Sequence, residues 1–353
     1  PSTLAILIAA FICAASFARD EQDKGTAAFL ESYADFLRSH LAEWTVTTEG
    51  SLVPGAYFVR LNPAKPGEVA PPGAVNTAEL KLPDQPPGSP ELYPARDITG
   101  AGFLLLVRYG ILAADDPLVV NTLRAVDATL KVDTPAGPCW RRYNHDGYGQ
   151  RPDGGPFLHW GQGRPWPLLT GERGHYELAA SRDSRPFLRA MEQFGNRTCL
   201  LAEQIWDEAD IPEAHLRCGG PTGSAVPLLW AHSEYIRLLR SRHDGKVFDL
   251  IPEVAARYRK GKKLGKIEFW LPKYPIRQTK KGSTLRICAP EPFRLRWSAD
   301  KGATHQEGES RRTAIGAEYF DLAASALRSE VAFTFFWTAS GKWEDHGHLV
   351  QVQ

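Results

Sequence analysis

The sequence has almost no net charge: 42 Lys and Arg stand against 41 Asp and Glu over 353 residues, a formal charge of +1. That balance excludes a polybasic nucleic-acid binder and an acidic tail protein. Methionine is nearly missing, with Met191 alone, and the chain opens at Pro1 instead of an initiator, which reads as a processed or truncated product. Cysteine is scarce and odd in number: Cys13, Cys139, Cys199, Cys218 and Cys288 form no CxxC pair. A zinc ribbon is thereby excluded and a disulfide scaffold disfavoured, although one Cys199–Cys218 bridge stays open. No HExxH, GxGxxG or P-loop occurs, so metalloprotease, dinucleotide-binding and Walker-type readings have no support. Ser224 in GPTGSAV lacks the second glycine of a nucleophile elbow. No metal site and no organic cofactor are expected.

What the chain does have is aromatic side chains. Ten Trp, eleven Tyr and sixteen Phe are many, and much of this load sits beside Gly and Pro. Aromatics in turns often touch a ligand, with core packing as the rival explanation. Hydrophobic residues at 43% and charged residues at 24% fit a soluble globular chain and not a disordered one. The length suffices for one large domain and a smaller one. Residues 1–18 are uncharged and read as a buried helix that begins at a proline; a leftover secretory signal or a short membrane span are the alternatives.

The first two-thirds read as helices separated by long loops. Helices are expected over 3–19, 27–44, 97–113, 117–131, 167–181, 184–196 and 223–242. Phe29, Leu30, Tyr33, Phe36, Leu37 and Leu41 fall on one stripe at helical period, as do Leu228, Leu229, Ser233, Tyr235, Ile236 and Leu239. Pro/Gly-rich stretches at 49–96, 132–166 and 197–222 lie between, and loops of that length are usually functional. Helices joined by long loops suggest an α/α toroid with its loops gathered at one end. Past Tyr258 the character changes. The basic run 259–266 reads as a linker, and IEFWL, STLRICA, FRLRWSA, EYFDLA and VAFTFFW read as short strands of a small β-sandwich. FRLRWS alternates Phe293, Leu295 and Trp297 against Arg294, Arg296 and Ser298, one face buried and one wet. The expected domains are therefore 1–258, a linker at 259–266, and 267–353.

The chemistry is carried by carboxylates and aromatics in three loops, 139–149, 159–178 and 200–239. Sugars present apolar C–H faces fringed by hydroxyls, so a site for them needs flat rings plus charged or amide groups. Glycosidic hydrolysis needs two carboxyl groups, one to protonate the leaving oxygen and one to activate water or attack carbon. Glu203, in AEQIWDEAD beside Gln204 and Trp206, suits the second role; a surface carboxylate is the plain alternative. The acidic run Asp207, Glu208, Asp210 reads as a solvated loop, and Glu172–Arg173 as a structural ion pair.

The three segments together resemble the bacterial glucoamylase and glucodextranase-type enzymes of glycoside hydrolase family 15. The resemblance rests on Arg142-Tyr143 with Asp146 and Tyr148, on Gly163-Arg164-Pro165-Trp166 with Leu169-Thr170-Gly171-Glu172-Arg173, and on Glu203-Gln204 with Thr222-Gly223 and Leu229-Trp230. It extends along the chain into the C-terminal β region. It implies a mainly α fold, the C-terminal portion of an (α/α)6 toroid with about seven helices, followed by the β-sandwich. It also implies inverting, exo-acting cleavage of α-glucosidic bonds, with release of β-glucose from the non-reducing ends of α-glucans. In that scheme Glu203 is the general base, and Arg142, Asp146, Tyr148, Trp166, Gln204, Trp140 and Trp230 surround the sugar. The family's general acid lies in a Trp-Glu-Glu segment that this sequence lacks. The expectation is that an N-terminal remainder of the same enzyme supplies it. An α-1,6-specific glucodextranase and a non-catalytic carbohydrate-binding barrel are the alternatives. The partner expected is an α-glucan oligosaccharide or polysaccharide, with neither nucleic acid nor membrane, and the expected location is periplasmic or extracellular.

Overall fold

Proline begins most of the short helices, where its missing N–H costs no hydrogen bond and its fixed φ suits the first turn. In the computed structural model, which describes residues 1–64, 69–259 and 264–353, eight α-helices are found among the described residues. They are α1 (Ser2–Asp20), α2 (Lys24–Thr45), α3 (Leu104–Arg108), α4 (Pro117–Leu130), α5 (Pro167–Ala179), α6 (Arg185–Gln193), α7 (Leu229–Asp244) and α8 (Pro252–Tyr258). Pro117, Pro167 and Pro252 open α4, α5 and α8. The Asp116 carboxylate caps α4 by accepting the Leu118 N–H at 2.9 Å.

Two expected helices are shortened. The 97–113 segment is a 3-10 turn at Ala101–Phe103 running into α3 alone. Gly110 ends it at φ +94°, and a Cβ there would sit 2.9 Å from the Ala255 Cβ. The 223–242 helix begins only at Leu229. Residues 219–228 are a bent, non-helical segment tied to 201–206: Glu203 N–H donates to the Ala225 carbonyl at 2.9 Å, Trp206 N–H to Gly220 at 2.8 Å, and Leu228 N–H to Leu201 at 2.8 Å. α8 lies beyond the expected set.

The chain divides into two compact units, Pro1–Ile6, Leu41–Pro63 and Pro72–Gly261 in the first, and Leu7–His40, Ala64–Pro71 and Lys262–Gln353 in the second. This differs from a division at 258: residues 7–40 group with the β region, because the apolar stripe of α2 packs there. Phe29, Tyr33 and Phe36 all meet the Phe269 ring, at centroid distances of 5.9, 4.9 and 5.2 Å. Of the expected linker 259–266, residues 260–263 lie outside the described residues.

In the second unit, one sheet runs Gln306–Glu309, Phe293–Ser298, Glu330–Trp337, His348–Val352, Gln278–Thr279, with Lys342–Trp343 paired to Glu330–Trp337. The other runs Arg311–Arg312, Glu318–Leu322, Thr284–Ala289, Ile267–Trp270. Leu285 and Ile287 from the second sheet share one buried cluster with Phe293, Leu295, Phe333 and Phe335 from the first. Burying each such side chain contributes about 1.5–3 kcal/mol. The FRLRWS alternation holds for Phe293, Leu295 and Trp297 but not for Ser298, which is buried with its hydroxyl bonded to Asp300 at 2.8 Å.

In the first unit an ionic knot joins three helices. Arg108 of α3 donates from Nη1 to both Glu234 oxygens on α7, at 2.8 and 3.0 Å, and from Nε to Asp249 at 3.0 Å. His175 of α5 lies with Nδ1 2.9 Å from the Glu234 carboxylate and Nε2 3.0 Å from the Ser241 hydroxyl. Against burial, which acts the other way, His175 and Arg108 hold Glu234 below its ordinary range. This knot also decides which face of α7 packs. Ala231, Glu234, Leu238 and Ser241 are buried, whereas Leu229, Ile236 and Leu239 of the apolar stripe are exposed.

α1 is long and apolar enough to cross a membrane by length and composition; one face, Ala5, Ile8, Ala9, Ile12 and Ala15, is buried within the structure, whereas Ile6, Leu7 and Phe17 are exposed. Cys199 and Cys218 are free thiols, so the bridge between them is not formed.

Candidate active site

Four segments lie side by side in the first unit and carry the predicted residues. The hairpin of Lys131–Thr134 and Gly137–Trp140 supplies the first, and the Trp166 N–H donates to the Trp140 carbonyl at 2.8 Å. The Ile205 N–H then donates to the Pro165 carbonyl at 3.0 Å, and 201–206 joins 219–228 as described. Gly163 lets these segments close up: its N–H reaches the Asp146 carbonyl at 2.6 Å, and a Cβ on it would come within 2.5 Å of the Asp146 Cβ.

On this frame the guanidinium of Arg142 is fixed in a fork. Its Nε and Nη2 donate to the two Asp146 oxygens at 2.7 and 2.8 Å. Its central carbon lies 4.9 Å from the Tyr148 ring centroid and 5.1 Å from that of Trp166. The Tyr148 N–H donates to Asp146 at 3.0 Å, and the Tyr148 phenol lies within electrostatic reach of the Glu203 carboxylate. Loss of solvent and the Glu203 charge raise the phenol above its ordinary pKa. Glu203 is half-buried and lies near Tyr148, whose ring also neighbours Arg142 and Trp166. Among the described residues no cation pairs with Glu203, whereas Asp146, Asp207 and Glu208 each face an arginine.

Several expectations are corrected by burial. Trp140 is 2% exposed and its indole N–H donates to Asp127 at 3.0 Å, so it braces the frame and offers no open face to a sugar. Gln204 is 1% exposed; its Oε1 accepts the Arg164 N–H at 3.1 Å and its Nε2 donates to the Tyr148 carbonyl at 3.3 Å. Its amide holds two backbone segments together. Asp146 is likewise inside, with both oxygens engaged, and acts by placing Arg142 and Tyr148. Trp230 is the reverse case: it is exposed at the start of α7, and among the described residues its ring stacks on none of the site's rings. Glu172 does not pair with Arg173, which bonds Glu177 at 2.7 Å and Asp127. Instead, burial and the nearby Glu234 charge push the Glu172 carboxyl up to about 8.

Asp207 is not solvated either. Its side chain is fully buried between Arg141 and Arg164, and Arg164 also holds Glu208 at 2.7 Å and lies 4.1 Å over the Trp206 ring. Arg164 is a structural centre that residue-by-residue reading missed. Its signal was the arginine inside GRPW together with the acidic pair just after Gln204. Thr222 and Ser224 were also missed; the Ser224 hydroxyl accepts the Gln204 N–H at 3.0 Å and the Thr222 hydroxyl at 2.9 Å. Two buried donors in this frame, the Trp166 indole N–H and the Arg164 Nη2, have no partner among the described residues.

The family model described as glycosyl hydrolases family 15 matches residues 1–240. A glucoamylase of Clostridium sp. (strain G0005) is 40% identical over 258 residues, covering 73% of this chain and 34% of that protein. The crystal structure of a bacterial glucoamylase complexed with acarbose aligns with a TM-score of 0.64 at 38% identity, over 73% of this chain and 35% of that one. The chain thus spans about a third of the length of these relatives. With the family model matched along residues 1–240, the chain belongs to glycosyl hydrolase family 15.

Proposed function

We propose that this chain carries the base side of an inverting α-glucosidase of the glucoamylase type, acting on the non-reducing ends of α-glucans and releasing β-glucose. The observation that carries the reading is the state of Glu203: a half-buried carboxylate that pairs with no cation among the described residues and lies near the Tyr148 phenol, beside a ring-flanked arginine. A carboxylate so placed keeps a lone pair for a water proton, and ion pairing would have lowered its basicity. The half-buried Tyr148 ring offers an apolar face to a pyranose, and Trp166, 6% exposed, packs behind it as a wall and not as an open platform. The exposed edge of Arg142 is a donor for the sugar hydroxyls. Kinship with a glucoamylase whose structure contains acarbose favours an α-glucan over other glycans.

In the proposed reaction, Glu203 takes a proton from water as the water attacks the anomeric carbon, and the glycosidic oxygen is protonated from the opposite face. In an inverting pair the carboxyl groups stand about 6.5–9.5 Å apart, leaving room for that water. We assign the acid to sequence that the relatives possess and this chain does not span, since no Trp-Glu-Glu segment occurs here. On the same reading the helices are part of an (α/α)6 toroid, and the two sheets form a sandwich.

The test is glucose release from maltooligosaccharides by the full-length gene product, with the anomer followed by NMR. β-Glucose as first product supports the reading. An α-anomer refutes inversion, and binding of acarbose without any turnover selects the non-catalytic alternative.

A further inference from the structure

A second group of converging side chains lies in the β region, apart from the carboxylate chemistry above. Glu344, His346 and His348 each offer one ligand atom, and these atoms all lie within 4.8 Å of one another. The His348 Nε2 is 2.9 Å from one Glu344 oxygen, and the His346 Nε2 is 3.5 Å from the other. We propose that Glu344, His346 and His348 form a binding site for a divalent transition-metal ion, with zinc(II) the best match. No metal was expected from the sequence, although His346 and His348, two residues apart in E-D-H-G-H, can share one face of an extended segment.

The spacing suits the ion. Zinc binds imidazole nitrogen and carboxylate oxygen at about 2.0–2.2 Å in a tetrahedron, whose edges are then roughly 3.3 Å. Two imidazoles with one carboxylate favour a borderline metal, whereas calcium and magnesium want mostly oxygen ligands. The ligands are also held in place. The His348 ring packs edge-on to Trp270 at 4.6 Å and lies 5.2 Å from Phe333. The Glu344 N–H donates to the Phe335 carbonyl at 2.8 Å, and the Thr334 hydroxyl donates to the His346 carbonyl at 3.2 Å. The His346 side chain is 67% exposed, so the fourth position opens to water.

To ligate, each imidazole presents the Nε2 lone pair of its neutral form, with the ring proton on Nδ1. The ion would tie the loop between Lys342–Trp343 and His348–Val352 to its own sheet.

The test is calorimetric titration of the whole chain with Zn²⁺, paired with the visible spectrum of the Co²⁺ form. One ion per chain is expected, with the d–d bands of a tetrahedral site. The exposed His346→Ala, which removes a ring edge-on to His348 at 5.0 Å but leaves the Trp270 and Phe333 contacts of His348, and Glu344→Gln should each weaken Zn²⁺ binding by at least about tenfold. Zn²⁺ should raise the melting temperature of the parent chain and not of these variants. No binding at ~1 mM Zn²⁺ would overturn the proposal, as would unaltered affinity in His346→Ala or equally tight binding of Mg²⁺.

Discussion

Removing the Asp146 carboxylate isolates the element that places Arg142 and Tyr148. The Asp146 side chain is 1% exposed and accepts three hydrogen bonds, two from Arg142 at 2.7 and 2.8 Å and one from the Tyr148 N–H at 3.0 Å. Hydrogen bonds to a charged group are worth about 1.5–3 kcal/mol each, but they are not additive when they share one acceptor. The Arg142 side chain is 32% exposed, so water recovers part of its solvation once the partner is gone. Asp146→Ala should therefore cost about 2–3 kcal/mol of folding stability, and Asp146→Asn about 1–2 kcal/mol, because the amide oxygen still accepts. Urea unfolding followed by tryptophan fluorescence measures this, and acarbose titration on the same samples reports on the site. Acarbose affinity should fall with both variants, because the guanidinium loses its fixed plane. Arg142→Met in the Asp146→Ala background should add little to either loss. A stability change within about 0.5 kcal/mol, the range of an ordinary surface substitution, would refute the reasoning.

Three further outcomes follow from the same packing. Glu234→Gln leaves Arg108 facing only Asp249 in a buried setting, and it should destabilise the first unit by about 3–5 kcal/mol by urea unfolding. Glu172 is pushed up to about 8 from an ordinary 4.5, so the fold prefers its protonated form. That contribution is full below pH 4.5 and is lost as pH rises toward 8, so the urea midpoint of the parent should decline across this window more steeply than that of Glu172→Gln. Tyr148→Phe deletes the phenol hydroxyl near Glu203 and should lower kcat/KM on maltooligosaccharides by up to about tenfold, with little change in stability.

Local periodicity was readable where packing obeys it. The stripe of α2 names the residues that are buried, because one face of that helix meets aromatic side chains of the β region. On α7 the apolar stripe misleads. Glu234 is drawn inside by Arg108, which is 126 residues away, and a pairing at that distance leaves no local pattern. Arg164 and Asp207 show the same effect, since two charged residues in loops look solvated until the fold sets them against each other. The loop residues around Glu203 were legible as a set because Arg, Tyr, Trp and Glu in turns are hard to explain by packing alone. Their division of labour was not. Whether an indole N–H reaches Asp127, as Trp140 does, or stays unpartnered, as Trp166 does, depends on the crossing of extended segments far apart in sequence. The start of α7 was misplaced for the same reason, because residues 219–228 find backbone partners at 201–206.

The central claim, that Glu203 is the base, is tested most directly by Glu203→Gln in the full-length gene product. Glutamine keeps the size but cannot take the water proton. Turnover of maltooligosaccharides should fall by about 10²–10⁴-fold while acarbose still binds. Undiminished release of β-glucose by that variant would contradict the account.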